Sequence, residues 1–406
     1  MKQDLTYSYR LYPNQKQQTQ ILRIAEAARQ YYNEILREKR VAFLETEVWI
    51  RKLEAVDKME DHAKEARVEI SVLKYAADDF ERAFRYYRWI NNTKPDRYKE
   101  SAKTRAEMFP KYPLTDADLK GMPQEKPWGA ARKTFSLSPD LLWFQEDSVY
   151  VPDVGWVRAK FHRLPQKDCK IKRCTVLAKS SGKFFLLLEV TVNVEDRRPD
   201  HVPDEALGVV FSPGLLAVRS DGVPVAARHS DPEIEKQIER AYKTLQRRTP
   251  GSKRYAQQRQ KLAKLYEKQT ARRRDALHKA SADIVGTGKY IGVQVPEVKK
   301  LAQKHKKEHA DRVVLDEAWY SFYSMLRYKA NLGGMPVYPI PRAYPIWKTC
   351  AACGAQFKRE PKTNAWVCPK CGVLCGKGGN AARNIQHYME NEIRQWRALP
   401  QDRGLK

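Results

Sequence analysis

The 406-residue chain contains no uninterrupted run of eighteen apolar residues, so nothing in it reads as a membrane-spanning helix. Its start, Met1-Lys2-Gln3-Asp4-Leu5-Thr6-Tyr7, lacks the apolar stretch of a secretory leader. Cysteine is sparse: there are seven, an odd number, and five of them fall between Cys350 and Cys375. That distribution excludes a disulfide framework and suits a reducing cytoplasm. Cys169 and Cys174 stand apart and read as a reduced pair in a β-rich region. Acidic residues are also short, with 49 Asp plus Glu against 76 Lys plus Arg, a formal charge of +27. A chain this basic binds a polyanion most readily, because Lys and Arg that neutralise phosphates release condensed counterions. An anionic membrane surface would call for a basic amphipathic tail apart from the fold, and none is evident. There is no internal repeat and no low-complexity tract. Aromatic residues, in contrast, are plentiful at 9 Trp, 21 Tyr and 12 Phe, which argues against wholesale disorder. The length allows two to four structural units.

The crowded cysteines form two Cys-x-x-Cys knuckles, Cys350-Ala-Ala-Cys353-Gly and Cys368-Pro-Lys-Cys371-Gly, with fourteen residues between them. This is close to zinc-ribbon spacing. Four thiolates fill a tetrahedral Zn²⁺ shell and leave no open position, so the site is expected to be structural. The glycine after each pair permits a tight turn. Cys375 is read as a bystander.

Periodicity organises the rest. Residues 1–13 read as a strand in which Tyr7, Tyr9 and Leu11 alternate with polar neighbours until Pro13. Asn14 is a plausible helix cap, and Ile21, Ile24, Ala25, Ala28, Tyr31, Tyr32 and Ile35 follow at helical spacing. A charged helical region continues to Trp89, then a Pro- and Lys-rich connector over 91–134. Strands are predicted at 148–151, 156–159, 171–176 and 184–190, in the pattern of a small barrel. After a linker at 196–204, apolar strands at 206–211, 215–219, 290–295 and 336–340 alternate with helices at roughly 231–247, 252–287 and 312–332. That alternation predicts an α/β sheet. A last helix is expected to start near Asn380.

These features, in order, resemble the TnpB family, transposon-encoded RNA-guided nucleases related to type V CRISPR effectors. The resemblance is carried by Tyr9-Arg10-Leu11-Tyr12-Pro13, Arg29-Gln30-Tyr31-Tyr32-Asn33, Arg163-Leu164-Pro165, Gly251-Ser252-Lys253-Arg254, Arg274-Asp275-Ala276-Leu277-His278-Lys279 and Leu326-Arg-Tyr-Lys-Ala330. The most specific string is Asn380-Ala381-Ala382-Arg383-Asn384-Ile385 after the ribbon. The resemblance implies a multidomain α/β protein. A split β-barrel wedge (1–13 and 134–200) would carry a helical recognition insert (14–133). An RNase-H-like RuvC domain (201–349 and 375–406) would hold an inserted zinc ribbon (350–374).

The family's RuvC site uses three carboxylates to hold two Mg²⁺ ions. The resemblance places them at Val210, Gln294 and Gly378, and none of these is acidic. Mg²⁺ takes hard, charged oxygens and dehydrates reluctantly, so no catalytic Mg²⁺ is expected. The chain then resembles the nuclease-dead TnpB-like repressors most. It would bind a guide RNA, form an R-loop on double-stranded DNA beside a flanking motif and block RNA polymerase at a promoter. It would act as one monomer per guide, in the prokaryotic cytoplasm at the nucleoid. Candidate nucleic-acid contacts are Arg10, Tyr12, Arg29, Arg82, Arg85, Tyr86, Arg88, Arg163, Lys253, Arg254, Arg274, His278 and Lys279. Two functions stay open for the helix 82–89, a nucleic-acid face and a core seam through Phe84, Tyr87 and Trp89. Lys299, Lys300 and Lys304-His305-Lys306-Lys307 read equally as a solvated loop or an RNA contact. The alternatives are an active nuclease with acids displaced to Asp204, Glu205, Asp221, Glu297 or Asp316, and a guide-independent nucleic-acid-binding zinc protein.

Overall fold

A computed structural model describes residues 2–46, 54–92, 122–129, 132–163, 165, 169–193, 205–212, 215–225, 231–295, 318–335, 337–361 and 363–398. The chain divides into two units, residues 2–193 and 194–406. The predicted linker at 196–204, most of the connector, Leu164, Asp204, Glu297, Asp316 and the 299–307 cluster lie outside the described residues.

In the first unit, β1 (Lys2–Tyr12) buries Tyr7, Tyr9 and Leu11 as its alternation predicts. Pro13 ends it. The Asn14 side chain then accepts from the Gln17 N–H at 2.9 Å, and the Gln17 side chain accepts from the Asn14 N–H at 3.0 Å. This reciprocal box satisfies two donors at the start of α1 (Gln15–Thr46). The charged helical region is not continuous. It comprises α1, α2 (Glu54–Asp57), α3 (Met59–Ala66) and α4 (Ile70–Asn92). Arg67, at φ 51°, turns the chain out of α3. The insert's core is aromatic: Phe80 and Phe84 stack at 5.8 Å, and Tyr32 meets Phe80 edge-on.

The remaining strands are β2 (Arg132–Leu137), β3 (Trp143–Phe144), β4 (Ser148–Val151), β5 (Gly155–Lys160), β6 (Lys170–Lys179) and β7 (Phe184–Asn193). With β1 they form one antiparallel sheet in the order β2-β6-β7-β1-β5-β4-β3. The expected barrel is therefore an open half-barrel: its edge strands β2 and β3 do not pair.

In the second unit, β8 (Ala206–Val210), β9 (Ala217–Arg219), β10 (Pro224–Val225), β11 (Tyr290–Val293) and β12 (Tyr338–Pro339) form a sheet in the order β10-β9-β8-β11-β12. The pairs β10–β9 and β9–β8 are antiparallel, while β8, β11 and β12 run parallel. Helices cover both faces, as buried parallel strands require. Leu207, Val209, Ile291 and Val293 pack against α6 (Lys253–Gly286) and α7 (Ala318–Leu332). Ala206, Val210 and Tyr290 face α8 (Lys377–Ala398). A further helix, α5 (Pro232–Gln246), precedes α6 and is capped by Asp231. The last helix starts three residues before the predicted Asn380, because the ribbon hairpin β13 (Ala365–Val367) and β14 (Leu374–Gly376) runs directly into it.

Candidate functional site

The two glycines at the middle of the parallel pair, Gly208 and Gly292, are register partners. A Cβ on Gly208 would lie 1.9 Å from the Ala382 carbonyl oxygen, and one on Gly292 2.5 Å from Met389 Cγ. Together they form the seat on which α8 rests. Ala381 and Ala382 are fully buried against it. Asn380 donates to the Thr349 carbonyl at 2.7 Å and accepts from the Ala351 N–H at 2.8 Å. Asn384 donates to the carbonyls of Ile346 and Thr349. The Asn380–Asn384 string thus ties the helix to the sheet and to the first cysteine knuckle.

That seating brings the three positions singled out for metal ligation to one place. Val210 ends β8 and pairs with Val218 of β9. Gln294 follows β11, whose Val293 pairs with Val209, so Gln294 is level with Val210. Gly378 lies so near that a Cβ on it would be 2.9 Å from Val218 Cγ2. The place is filled by apolar groups: Val210 is buried, and Val218 packs in the same cluster. Gln294 uses its amide as a donor, to the carbonyls of Pro341 at 3.0 Å and Tyr344 at 3.2 Å. A carboxylate cannot make those bonds.

Two of the displaced-acid candidates are described. Glu205 pairs with Lys289 at the start of β8, about 16 Å of strand from Val210. Asp221 lies beyond Ser220, whose N–H binds the Gly208 carbonyl, and its carboxylate is held by Arg219. Although burial opposes ionisation of Asp221, the Arg219 guanidinium holds its carboxyl below the usual range. Among the described residues, the four ribbon cysteines are the one group of three or more His, Cys, Asp or Glu placed to share a metal.

All four of those sulfurs lie within 4.8 Å of one another. Cys350 Sγ is 3.8 Å from Cys371 Sγ, and Cys353 Sγ is 3.8 Å from Cys368 Sγ. A tetrahedral shell with metal–sulfur bonds of about 2.3 Å has edges of about 3.8 Å, so the donor set fits an ion such as zinc. The knuckles are alike: the Gly354 N–H binds the Cys350 carbonyl at 2.9 Å, and the Gly372 N–H binds the Cys368 carbonyl at 2.8 Å. Both glycines have positive φ, as the turn demands. Burial works against ionisation of Cys368, but N–H groups of Cys371 and Lys370 and the adjacent thiols hold it down, to about 7. Cys375 packs beneath the cluster with Trp366 and is not among the four.

The candidate nucleic-acid contacts divide by what they already hold. On α4, Phe84 and Tyr87 are buried while Arg82, Arg85 and Tyr86 are exposed, so one helix carries both a core seam and a cationic face. The side chains of Arg88 and Trp89 lie outside the described residues. Arg29 is engaged within the protein, in a fork with Glu26 and a 2.8 Å bond to the Lys126 carbonyl. The Glu26 carboxylate raises its pKa. Arg163 lies 4.8 Å over the Tyr7 ring. Lys253, Arg254, Arg274 and Lys279 are exposed on α6, where Lys279 pairs with Asp275 at 2.8 Å. His278 is half-buried, with the Tyr328 hydroxyl 3.5 Å from Nδ1 and Arg274 Nε 3.4 Å from Nε2.

Arg10 and Tyr12 belong to a surface that the sequence reading only half found. Across the outer face of the half-barrel, Trp143, Tyr150 and Trp156 stand in register on β3, β4 and β5. Trp143 stacks on Tyr150 at 5.0 Å, and Tyr150 meets Trp156 at 5.8 Å. On the same face Arg158 pairs in register with Tyr12 and Lys160 with Arg10, and Arg10 lies 5.1 Å over Phe185. Trp143 is 61% and Trp156 41% exposed. Exposed aromatic and basic side chains interleaved on a sheet suit unpaired bases and their phosphates. The period-two pattern Trp156-Val157-Arg158-Ala159-Lys160 was the available signal.

Residues 1–47 match the family described as "Helix-turn-helix domain" of IS605 OrfB, 216–305 its "Probable transposase", and 319–385 the "Cas12f1-like, TNB domain". In this structure the first match spans a strand and one long helix rather than a helix-turn-helix. A Streptomyces pristinaespiralis protein named "Putative RNA-guided DNA endonuclease" is 25% identical over 392 residues, covering 93% of this chain and 88% of its own. Escherichia coli (strain K12) "Putative RNA-guided DNA endonuclease InsQ" is 26% identical, covering 59% of this chain and 62% of its own. A solved structure titled "Cryo-EM structure of the Cas12f1-sgRNA-target DNA complex" aligns at a TM-score of 0.44 and 13% identity, over 95% of this chain and 98% of that one. The chain is homologous to the IS605 OrfB (TnpB) transposon proteins and to Cas12f1-like proteins.

Proposed function

We propose that this protein is an RNA-guided DNA-binding protein that holds its target without cutting it. The observation that carries the reading is the sheet end. Val210, Gln294 and Gly378 converge there, yet the place is filled by Val210 and Val218 and clamped by the Gln294 amide. The strand order of the second unit, three antiparallel strands and then two parallel ones, supports an RNase-H-like ancestry for that place. Guidance by RNA and a DNA target are supported by the names of the two curated relatives. The +27 charge and the aromatic-basic face of the half-barrel supply the means of binding.

In this reading the guide pairs with one DNA strand, and the protein holds the heteroduplex by its backbone shape. The wedge segments 1–13 and 134–200 and the insert 14–133 present Arg10, Tyr12, Arg82, Arg85 and Tyr86. The RuvC-like segments 201–349 and 375–406 present the basic helix α6. The ribbon 350–374 is held by zinc, which supplies structural cross-linking and no chemistry. An uncut R-loop persists, and over a promoter it blocks RNA polymerase, in the prokaryotic cytoplasm. The test is to isolate the protein from its cells, sequence the RNA bound to it and map DNA occupancy. One RNA of defined length, with occupied sites matching part of it, is the expected result. Random RNA fragments, or occupancy unrelated to the RNA, would leave a guide-independent binder instead.

A further inference from the structure

Within the first unit a cavity of about 260 Å³ opens where α1 and α4 meet β2 and β6. Its walls carry five cationic side chains and two carboxylates. Both carboxylates are engaged: Glu26 by Arg29 at 2.6 Å, and Asp79 by Arg173 at 2.7 Å. Lys126, Arg132 and Lys133 remain, with no ion pair to a carboxylate among the described residues.

Two of the lining groups are placed at a cost that an anion would offset. Arg173 is only 6% exposed, and its Nε is buried with no acceptor. Its guanidinium cannot turn to find one, because Nη1 is fixed on Asp79 and the plane lies 4.8 Å over the Tyr75 ring. Lys126 holds its ammonium 3.7 Å from the Tyr32 ring centre, and burial pushes its pKa down. At the rim, Trp128 is 70% exposed, with Lys133 Nζ 5.1 Å from its ring. Five cations against two carboxylates, with an exposed indole beside them, describe one ligand chemistry, a phosphate joined to a flat ring. The volume admits a phosphate with its sugar and excludes a duplex.

We propose that this cavity is a subsite for one phosphate of an unpaired RNA strand, with the adjoining base stacked on Trp128. The proposal rests on the RNA-binding reading above and names a place for it. No residue of the half-barrel's outer aromatic face is involved.

The experiment uses the full chain and a fluorescein-labelled single-stranded RNA octamer, read by anisotropy at several salt concentrations. Trp128→Ala and Arg132→Ala change exposed side chains, and thermal unfolding checks that both stay folded. Each is expected to weaken binding about tenfold. Arg132→Ala is also expected to lower the salt slope by about 0.7, one single-strand phosphate contact. Wild-type binding with both exposed variants unchanged in affinity and slope would overturn the subsite and leave RNA binding intact. Failure of the wild type to bind RNA at all would overturn both. A third arm adds inorganic phosphate alone: protection against unfolding equal to that by the octamer, with Trp128→Ala neutral, would make this a free-anion site and contradict the proposal.

Discussion

At Cys350, Cys353, Cys368 and Cys371 four donors surround one centre, whereas at Val210, Gln294 and Gly378 the same unit brings three positions together with no carboxylate among them. Convergence in the second case is made by the backbone: parallel pairing of β8 with β11 and the glycine seat under α8 fix where the chain ends meet. Ligation is made by side chains. Backbone convergence therefore does not by itself supply ligands, and here two valines pack in the space. At the cysteine cluster Ala355, Phe357 and Trp366 pack beside the sulfurs, and a metal on the four thiolates would add a cross-link to that packing.

The largest expected effect breaks the first side of that comparison. Zinc in small four-cysteine sites contributes an apparent ~10–16 kcal/mol, so Cys368→Ser should abolish stoichiometric zinc in elemental analysis and expose the ribbon to protease. Retained zinc, at one per chain, would show that the fit of the sulfurs is not what binds it. Next is the backbone seat. Gly208→Ala drives a methyl into the Ala382 carbonyl and should cost about 3 kcal/mol in denaturant unfolding. An unchanged midpoint would mean that α8 does not rest there.

A smaller effect addresses Gln294 directly. Gln294→Glu removes two amide hydrogen bonds and faces a carboxylate toward two carbonyls, for about 1–3 kcal/mol lost, without creating metal-dependent cleavage. Gain of Mg²⁺-dependent nicking by this single change would mean that the place is one ligand short rather than filled. The smallest concerns Asp221. Its folded pKa is lowered, so its contribution is present above the ordinary carboxylate pKa and lost as pH falls through the folded value. Asp221→Asn should cost less than about 1 kcal/mol at neutral pH, since the side chain is about a third exposed, and nothing in acid. A difference that persists in acid would assign the effect to packing.

Much of the fold was legible where local patterning and tertiary packing agree. The alternation of Tyr7, Tyr9 and Leu11, the Asn14 cap and the helices near 231–247 and 252–287 are local signals, and the structure has them. The knuckle spacing alone located the cysteine cluster. Net charge does not show what a cation already holds: Arg29 is spent on Glu26, a pairing that the three-residue helical spacing could have revealed. The open half-barrel and the Gly208–Gly292 seat depend on which strands become neighbours, and no local pattern encodes that. The filling of the sheet end by Val218 is of the same kind, since Val218 reaches Gly378 only through folding.

The most direct measurement incubates the purified protein and its co-isolated RNA with a plasmid bearing the matched target, in Mg²⁺ and separately in Mn²⁺. The account predicts a retarded complex from which intact supercoiled DNA is recovered. Nicked or linear DNA that appears with metal and disappears with EDTA would contradict it.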